Sequence, residues 1–368
     1  MQLTNKVILI VSPQPWQDLY ISKHHYAVEL AKMGNEVYFL QPPGPGRSSV
    51  RINEIANIKV IDHRSGINPK IRFHFKFLYK ILIYFHLKKI LKKINNPIDI
   101  LWCFEPNVYP NLNWFKSEKT IYHPVDYIGE KHQFNLGTTA DLILTVSEKF
   151  VNAFGQIKTP IHLINHGLSE YFVDNQHILW KKGANLRFAY LGNLLVKPLD
   201  RKVLKRVIKK HSEIIFDFYG IYEDERYNFP EGESFIDFLK ECPNCNLLGI
   251  KHPKELSSIL NKYDGFISVY IPKDDLNACS NSHKILEYLS KGKLIISNKV
   301  QYYENHNLFV MSKRDDNSDY EEIFDESIEN IETLNAPDMI NKRKEFALTN
   351  TYANHIKKIA TLIDSNEG

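Results

Sequence analysis

The residues best placed to do chemistry lie in one stretch, Ser280 to Gly292, which reads SNSHKILEYLSKG and runs into the apolar KLIIS. Ser280, Asn281 and Ser282 form the entry to a helix. Ser280 or Ser282 can cap it, and the first turn of such a helix presents free backbone N–H groups. A turn of that kind is a ready anion site. Lys284 adds a positive charge in the same turn. This is unfavourable for the helix dipole alone but sensible if a pyrophosphate is held there. Glu287 follows three residues later on the same face, where it can accept hydrogen bonds from ribose hydroxyls. An ion pair on a solvated helix would use the same two residue types, so the surroundings decide.

Those surroundings are a series of short apolar runs separated by helical patterns. Val7 to Ser12 (VILIVS) reads as a strand covered on both faces. Lys23 to Met33 has helical spacing, Gly34 ends it, and Glu36 to Leu40 is a second strand. Further strands are expected over 99–104, 120–123, 141–146 and 160–164. The pattern resets through a polar stretch at 173–185. A second series follows at 186–191, 214–219, 246–248, 265–269 and 294–297, with helices over 202–210, 253–260 and 282–290. Strands alternating with helices imply parallel, doubly wound sheets. The expected fold is therefore α/β, with two Rossmann-like domains, 1–175 and 186–340, facing a cleft. A helical tail over 341–368 would pack back on the first domain. Ligands of such sheets bind outside the carboxyl ends of the strands. The loops after Val11, Phe104, His123, Leu191, Tyr219 and Val269 therefore matter most.

In this order, the segments resemble GT-B glycosyltransferases. The run Ser282-His283-Lys284-Ile285-Leu286-Glu287-Tyr288-Leu289-Ser290-Lys291-Gly292 is similar to that family's nucleotide-sugar motif. Tyr190-Leu191-Gly192-Asn193 resembles the loop that opens the second domain, and Phe216-Asp217-Phe218-Tyr219-Gly220 resembles its strand ending in glycine. Asn246 to Gly249, Thr145 to Ser147 and Ile164 to Leu168 match further elements. The likeness is greatest to the family 4-like and xanthan glucuronosyltransferase-like branches, which build bacterial surface polysaccharides. It implies transfer of a sugar from a nucleotide-diphosphate sugar, UDP first and GDP second, to a glycan or lipid-linked acceptor. It also implies that Gly192, Asn193, Lys197, Tyr219, Ser280, Asn281, Ser282, Lys284 and Glu287 bind the donor.

The first domain would then supply the base that deprotonates the acceptor hydroxyl. The family's Y-D-x-V-D element stands here as Tyr122-His123-Pro124-Val125-Asp126. Asp126, just past a strand's carboxyl end, is the first choice; His123 and His25 are alternatives. The chain departs from the family in three places. Cys279 occupies the position of an acid eight residues before Glu287. Ser12-Pro13-Gln14-Pro15-Trp16 replaces a glycine-rich loop. Asn193 stands where an arginine is usual, and Lys197 can supply the missing charge. Two other readings stay open: a nucleotide-sugar epimerase, and a non-catalytic nucleotide-sugar-binding protein.

The remaining signals bound the function. At 368 residues, two domains are the default, and a 43% apolar, 24% charged composition is that of a soluble globular protein. Cys242-Pro243-Asn244-Cys245 lacks the second pair a structural zinc site needs. With no convincing D-x-D pair at a strand end, no cofactor or metal is expected. Neither first strand leads into G-x-G-x-x-G, which argues against a dinucleotide dehydrogenase. The net charge of +4 hides nine Lys or Arg residues, and no acid, between Asp62 and Asp99. Within that run, residues 69–95 place Phe73, Phe77, Tyr84, Leu87 and Leu91 at helical spacing among lysines. Such a helix suits an anionic membrane surface. Its aliphatic character and single location argue against nucleic acid. The chain opens without a signal-like segment and has no spanning run, so a cytoplasmic protein is expected, peripheral on the inner face of the plasma membrane if the acceptor is lipid-linked.

Overall fold

A computed structural model describes residues 3–17, 20–125, 130–173, 180–227, 230–271 and 281–365. The chain divides into two compact units, Met1–Asn165 with Tyr352–Gly368, and His166–Thr351. The division lies just before the polar stretch that marks it in the sequence.

The first unit contains β1 (Val7–Val11), β2 (Glu36–Leu40), β3 (Ser49–Ile55), β4 (Ile58–Arg64), β5 (Ile100–Cys103), β6 (Lys119–Tyr122), β7 (Leu142–Thr145) and β8 (Ile161–Leu163). They form one sheet in the order β3-β4-β2-β1-β5-β6-β7-β8, in which only the β3–β4 pairing is antiparallel. Successive side chains of a strand point to opposite faces. Ile8 and Ile10 accordingly join a core with Tyr26, Ala27 and Leu30 of the helix Ser22–Lys32. Leu9 and Val11 join another with Ile83, Leu87, Ile90 and Ile94 of the helix Lys76–Ile94.

The expected helical tail is two helices. Pro337–Thr349 stays in the second unit, and Tyr352–Ser365 places Tyr352, Ile356, Ile359 and Ile363 in the Ile8 core of the first. The break falls at Asn350, whose carbonyl accepts the Leu168 N–H at 2.8 Å. The β3–β4 hairpin is an addition to the sequence reading. Its turn, Ala56-Asn57, has φ of 52° and 62°. Two left-handed residues suit a type I′ turn, but an alanine there is not the usual Asn-Gly signature.

The second unit contains β9 (Arg187–Leu191), β10 (Ile215–Tyr219), β11 (Cys245–Gly249), β12 (Gly265–Ser268), β13 (Leu294–Ser297) and β14 (Val310–Met311). Their order is β11-β10-β9-β12-β13-β14, all parallel. The chain leaves β9 for one side of the sheet and later returns to its other side as β12. The topological switch point of this unit is therefore the gap between the carboxyl ends of β9 and β12. In the first unit it lies between β1 and β5.

Two buried histidines tie β4 to the helix Lys76–Ile94. His63 Nε2 donates to the Gln41 carbonyl at 2.8 Å, leaving His63 Nδ1 to accept from His86 Nε2 at 2.9 Å. This chain of bonds is satisfied by two neutral rings. Burial, with His63 and Lys89 nearby, lowers His86 from 6.5 to about 4, and burial lowers His63 as well. Burial also lowers His24 to about 4; its Nδ1 accepts the Ile21 N–H, and its Nε2 donates to the Pro15 carbonyl. Between pH 6.5 and about 4 the unfolded chain thus takes up protons that the native chain refuses. The stability these rings confer is complete above 6.5 and is lost as the pH falls, on the order of 3 kcal/mol for a shift of this size. Chemical denaturation at a series of pH values should show that loss. His86→Gln, which can still donate to His63, should shallow the slope by about one proton. An unchanged slope would mean His86 is not held neutral.

Candidate donor site in the second unit

Three neighbouring parallel strands end in glycine with positive φ: Gly192 after β9 (150°), Gly220 after β10 (138°) and Gly249 closing β11 (68°). Their backbones interlock. The Gly192 N–H donates to the Tyr219 carbonyl at 2.8 Å, and the Gly220 N–H to the Gly249 carbonyl at 2.9 Å. A Cβ on Gly220 would lie 1.9 Å from the Gly192 carbonyl oxygen. Only glycine fits so close an approach at such a φ.

The helix His283–Ser290 follows the carboxyl end of β12, which brings its first turn to the switch point. Ser282 is the N-cap, with extended backbone (φ −94°, ψ 125°), and its side chain makes no capping bond to the helix. The Asn281 carbonyl accepts from His166 Nε2 at 3.1 Å. Lys284 Nζ donates to the Tyr270 hydroxyl at 2.7 Å, and that hydroxyl is 2.9 Å from the hydroxyl of Tyr190. A Cβ on Gly192 would come within 2.5 Å of the same ammonium. Lys284 is therefore a fixed cation lying against bare backbone. Behind it, the Tyr288 hydroxyl accepts the Leu191 N–H at 2.8 Å, pinning the helix to the end of β9.

Glu287 is half-buried one turn along. Desolvation raises its carboxyl from 4.5 to about 7, against the pull of Lys284 and Lys291. A carboxyl in that state is poised to ionise when hydroxyl donors arrive.

Gly192, Asn193, Asn281, Ser282, Lys284 and Glu287 all belong to this end of the second unit. Ser280 and Cys279 lie outside the described residues. The Tyr219 side chain differs from expectation. It turns inward, and its hydroxyl is 2.7 Å from that of Tyr263, which donates to Asp217 at 2.6 Å. Asp217 also accepts from Arg187 and Asn246, both at 2.7 Å. The network leaves Tyr219 only its backbone carbonyl to offer the loop. Lys197 is exposed. The buried cation of the loop is Arg201, which donates to the carbonyls of Leu194 (2.8 Å), Val196 (2.7 Å), Lys197 (3.4 Å) and Leu199 (3.3 Å). It shapes the loop that carries Gly192 and Asn193. Tyr190 and Tyr270 escape sequence reading because they meet across 80 residues of chain, and Arg201 because its partners are backbone carbonyls that no side-chain pattern marks. The only local hint for Tyr270 is its place just past an apolar run.

In the first unit Asp126 lies outside the described residues. His123 is buried, and its Nδ1 accepts from Trp102 Nε1 at 3.2 Å. An indole N–H can only donate. The neutral His123 ring therefore carries its proton on Nε2. His25 stacks on Tyr352, with ring centroids 4.8 Å apart. The switch point of this unit carries two residues that sequence reading passed over. Lys23 is buried and donates to Gln14 Oε1 at 2.5 Å. Glu105, also buried, accepts the N–H groups of Asn107 and Val108. Burial raises its proton affinity, against those N–H groups, Arg72 and Lys23. Among the described residues no group of three His, Cys, Asp or Glu side chains is placed to hold a metal ion. Cys242 and Cys245 are free thiols.

No protein-family model and no curated protein matches the chain. Solved structures do. HepE of Anabaena, solved in complex with UDP and glucose, is 12% identical, with a TM-score of 0.67 over 98% of this chain and all of that one. Sucrose-phosphate synthase from Thermosynechococcus elongatus is 10% identical, with a TM-score of 0.71 over 98% of each chain. A glycosyltransferase from Rickettsia africae is 15% identical, with a TM-score of 0.69 over 98% of each. At these identities the likeness is one of fold: the chain has the two-domain, Rossmann-like GT-B fold of these enzymes.

Proposed function

We propose that the chain is a glycosyltransferase that takes a nucleotide-diphosphate sugar, UDP-linked first, as donor and a glycan or lipid-linked acceptor of bacterial polysaccharide synthesis. The observation that carries this reading is the Lys284 ammonium, anchored by Tyr270 against Gly192 at the β9–β12 switch point. A pyrophosphate there meets a fixed cation, free N–H groups of a helix turn and backbone unobstructed by a Cβ. Glu287 accepts from the ribose. The same electrostatics that bind the diphosphate stabilise it as the leaving group. HepE has been solved with UDP and with UDP-glucose, which supports the uridine choice. The lipid-linked alternative for the acceptor is favoured by the aromatic and cationic outer face of the helix Lys76–Ile94.

Deprotonation of the acceptor falls to a carboxylate of the first unit. Asp126 is the first candidate by its place after β6. Glu105 is a second, favoured by its burial at the β1–β5 switch point and its raised proton affinity.

A ligand that binds only the native state must raise its melting temperature. UDP should do so, and Lys284→Ala should abolish the shift. Tyr270→Phe, which frees the ammonium, should weaken UDP by about fivefold, the worth of roughly 1 kcal/mol. A full shift in Lys284→Ala would remove this site from the proposal.

Ribose hydroxyls need the ionised carboxylate of Glu287, which is protonated below about 7. UDP affinity should therefore climb as the pH rises through about 7, and Glu287→Gln should flatten the profile. In the free protein the sign is opposite: ionising a carboxyl whose folded value is raised costs stability as the pH rises. A pH-independent affinity in the unaltered chain would count against Glu287 as the ribose partner.

Asp126→Asn should lower turnover by about a hundredfold or more while leaving donor affinity in place, and turnover of the unaltered chain should persist in a chelator. Loss of turnover in Glu105→Gln but not in Asp126→Asn would move the base to Glu105.

A further inference from the structure

The helix Lys76–Ile94 has two apolar faces, and the core uses only one. Ile83, His86, Leu87, Ile90 and Ile94 are buried on the sheet. The stripe drawn from the sequence mixes the faces, since Phe77 is 78% exposed while Leu87 is buried. On the outer side of the helix, and in the turn before it, Phe73, Phe75, Phe77, Leu78, Ile81 and Phe85 face solvent. They are six of the eleven large apolar side chains exposed among the described residues. Such clustering marks a contact surface, because scattered exposed apolar residues need no explanation but a contiguous patch does.

The charges around the patch identify its partner. Arg72 lies over the Phe73 ring at 4.7 Å, and Lys88 lies over Tyr84 at 4.8 Å and Phe85 at 5.9 Å. Lys76 and Lys80 are exposed between them, and no acid occurs from His63 to Ile98. The patch is thus an aromatic wedge framed by cations at both ends. A second copy of the chain fits it poorly, because a two-fold contact sets the same cations against one another. We infer that this face enters the interface of an anionic bilayer, the phenylalanines passing below the headgroups while Arg72, Lys76, Lys80 and Lys88 pair with lipid phosphates. The membrane contact rests on the patch itself and holds whether or not the transfer reaction proposed above is correct.

Flotation of the full chain with phosphatidylcholine vesicles, with or without phosphatidylglycerol, tests it. The chain should float with the anionic vesicles and stay partly bound in high salt, because the wedge is not screened. The triple change Phe73→Ser, Phe75→Ser, Phe77→Ser should weaken binding by at least about tenfold. Lys76→Gln with Lys80→Gln and Lys88→Gln should remove the preference for anionic lipid. The single change Phe77→Ser, at the most exposed position, should show a smaller loss and serves if the triple variant fails to fold. No flotation with anionic vesicles would overturn the inference. Full, salt-sensitive flotation of a folded serine variant would also do so, leaving charge alone. A dimer in sedimentation that becomes monomeric in that variant, without vesicle binding, would assign the face to a second copy instead.

Discussion

The close packing of three strand ends governs the candidate donor site. Gly192, Gly220 and Gly249 let the carboxyl ends of β9, β10 and β11 approach until backbone meets backbone. The missing Cβ of Gly192 leaves the space that the Lys284 ammonium occupies. Tyr270 and Tyr190 hold the charge in it, Tyr288 holds the helix, and Arg201 gathers four carbonyls of the intervening loop. A cation at a helix N-terminus opposes the dipole. Its retention there, on neutral hydroxyls and not on a carboxylate, is what a site awaiting an anion requires.

The first unit solves a different problem. Its switch point carries buried, oppositely charged side chains, Lys23 and Glu105, amid aromatic rings, and a histidine whose tautomer is set by an indole. These groups suit hydroxyl-bearing ligands, where direction of hydrogen bonding matters more than net charge. The proposed division of labour between the units rests on these chemistries: a phosphate-directed end in the second, a hydroxyl-directed end in the first.

Much of this was legible in the sequence. Continuous apolar runs marked the core strands, because a parallel strand covered on both faces is largely apolar. Ser282, Lys284 and Glu287 were legible because a helix turn brings them together locally. The partners of Lys284 were not: Tyr270 stands 14 residues before it, and Tyr190 joins them only because β9 lies beside β12. Tyr219 was misplaced because a strand-end tyrosine can point either way, and the distant pair Asp217 and Tyr263 draws it inward. The β3–β4 hairpin was hidden by its Ala56-Asn57 turn. The two-faced character of the helix Lys76–Ile94 was blurred because both faces are apolar, which defeats any single periodic stripe.

Hydrogen–deuterium exchange of the full chain with and without UDP tests the central claim most directly. Protection is predicted at the Gly192–Leu199 loop, the Gly220 turn and the first turn of the helix His283–Ser290, because these backbones would surround the nucleotide. Protection confined to other segments, or none at saturating UDP, would contradict the assignment of this end of the second unit as the donor site.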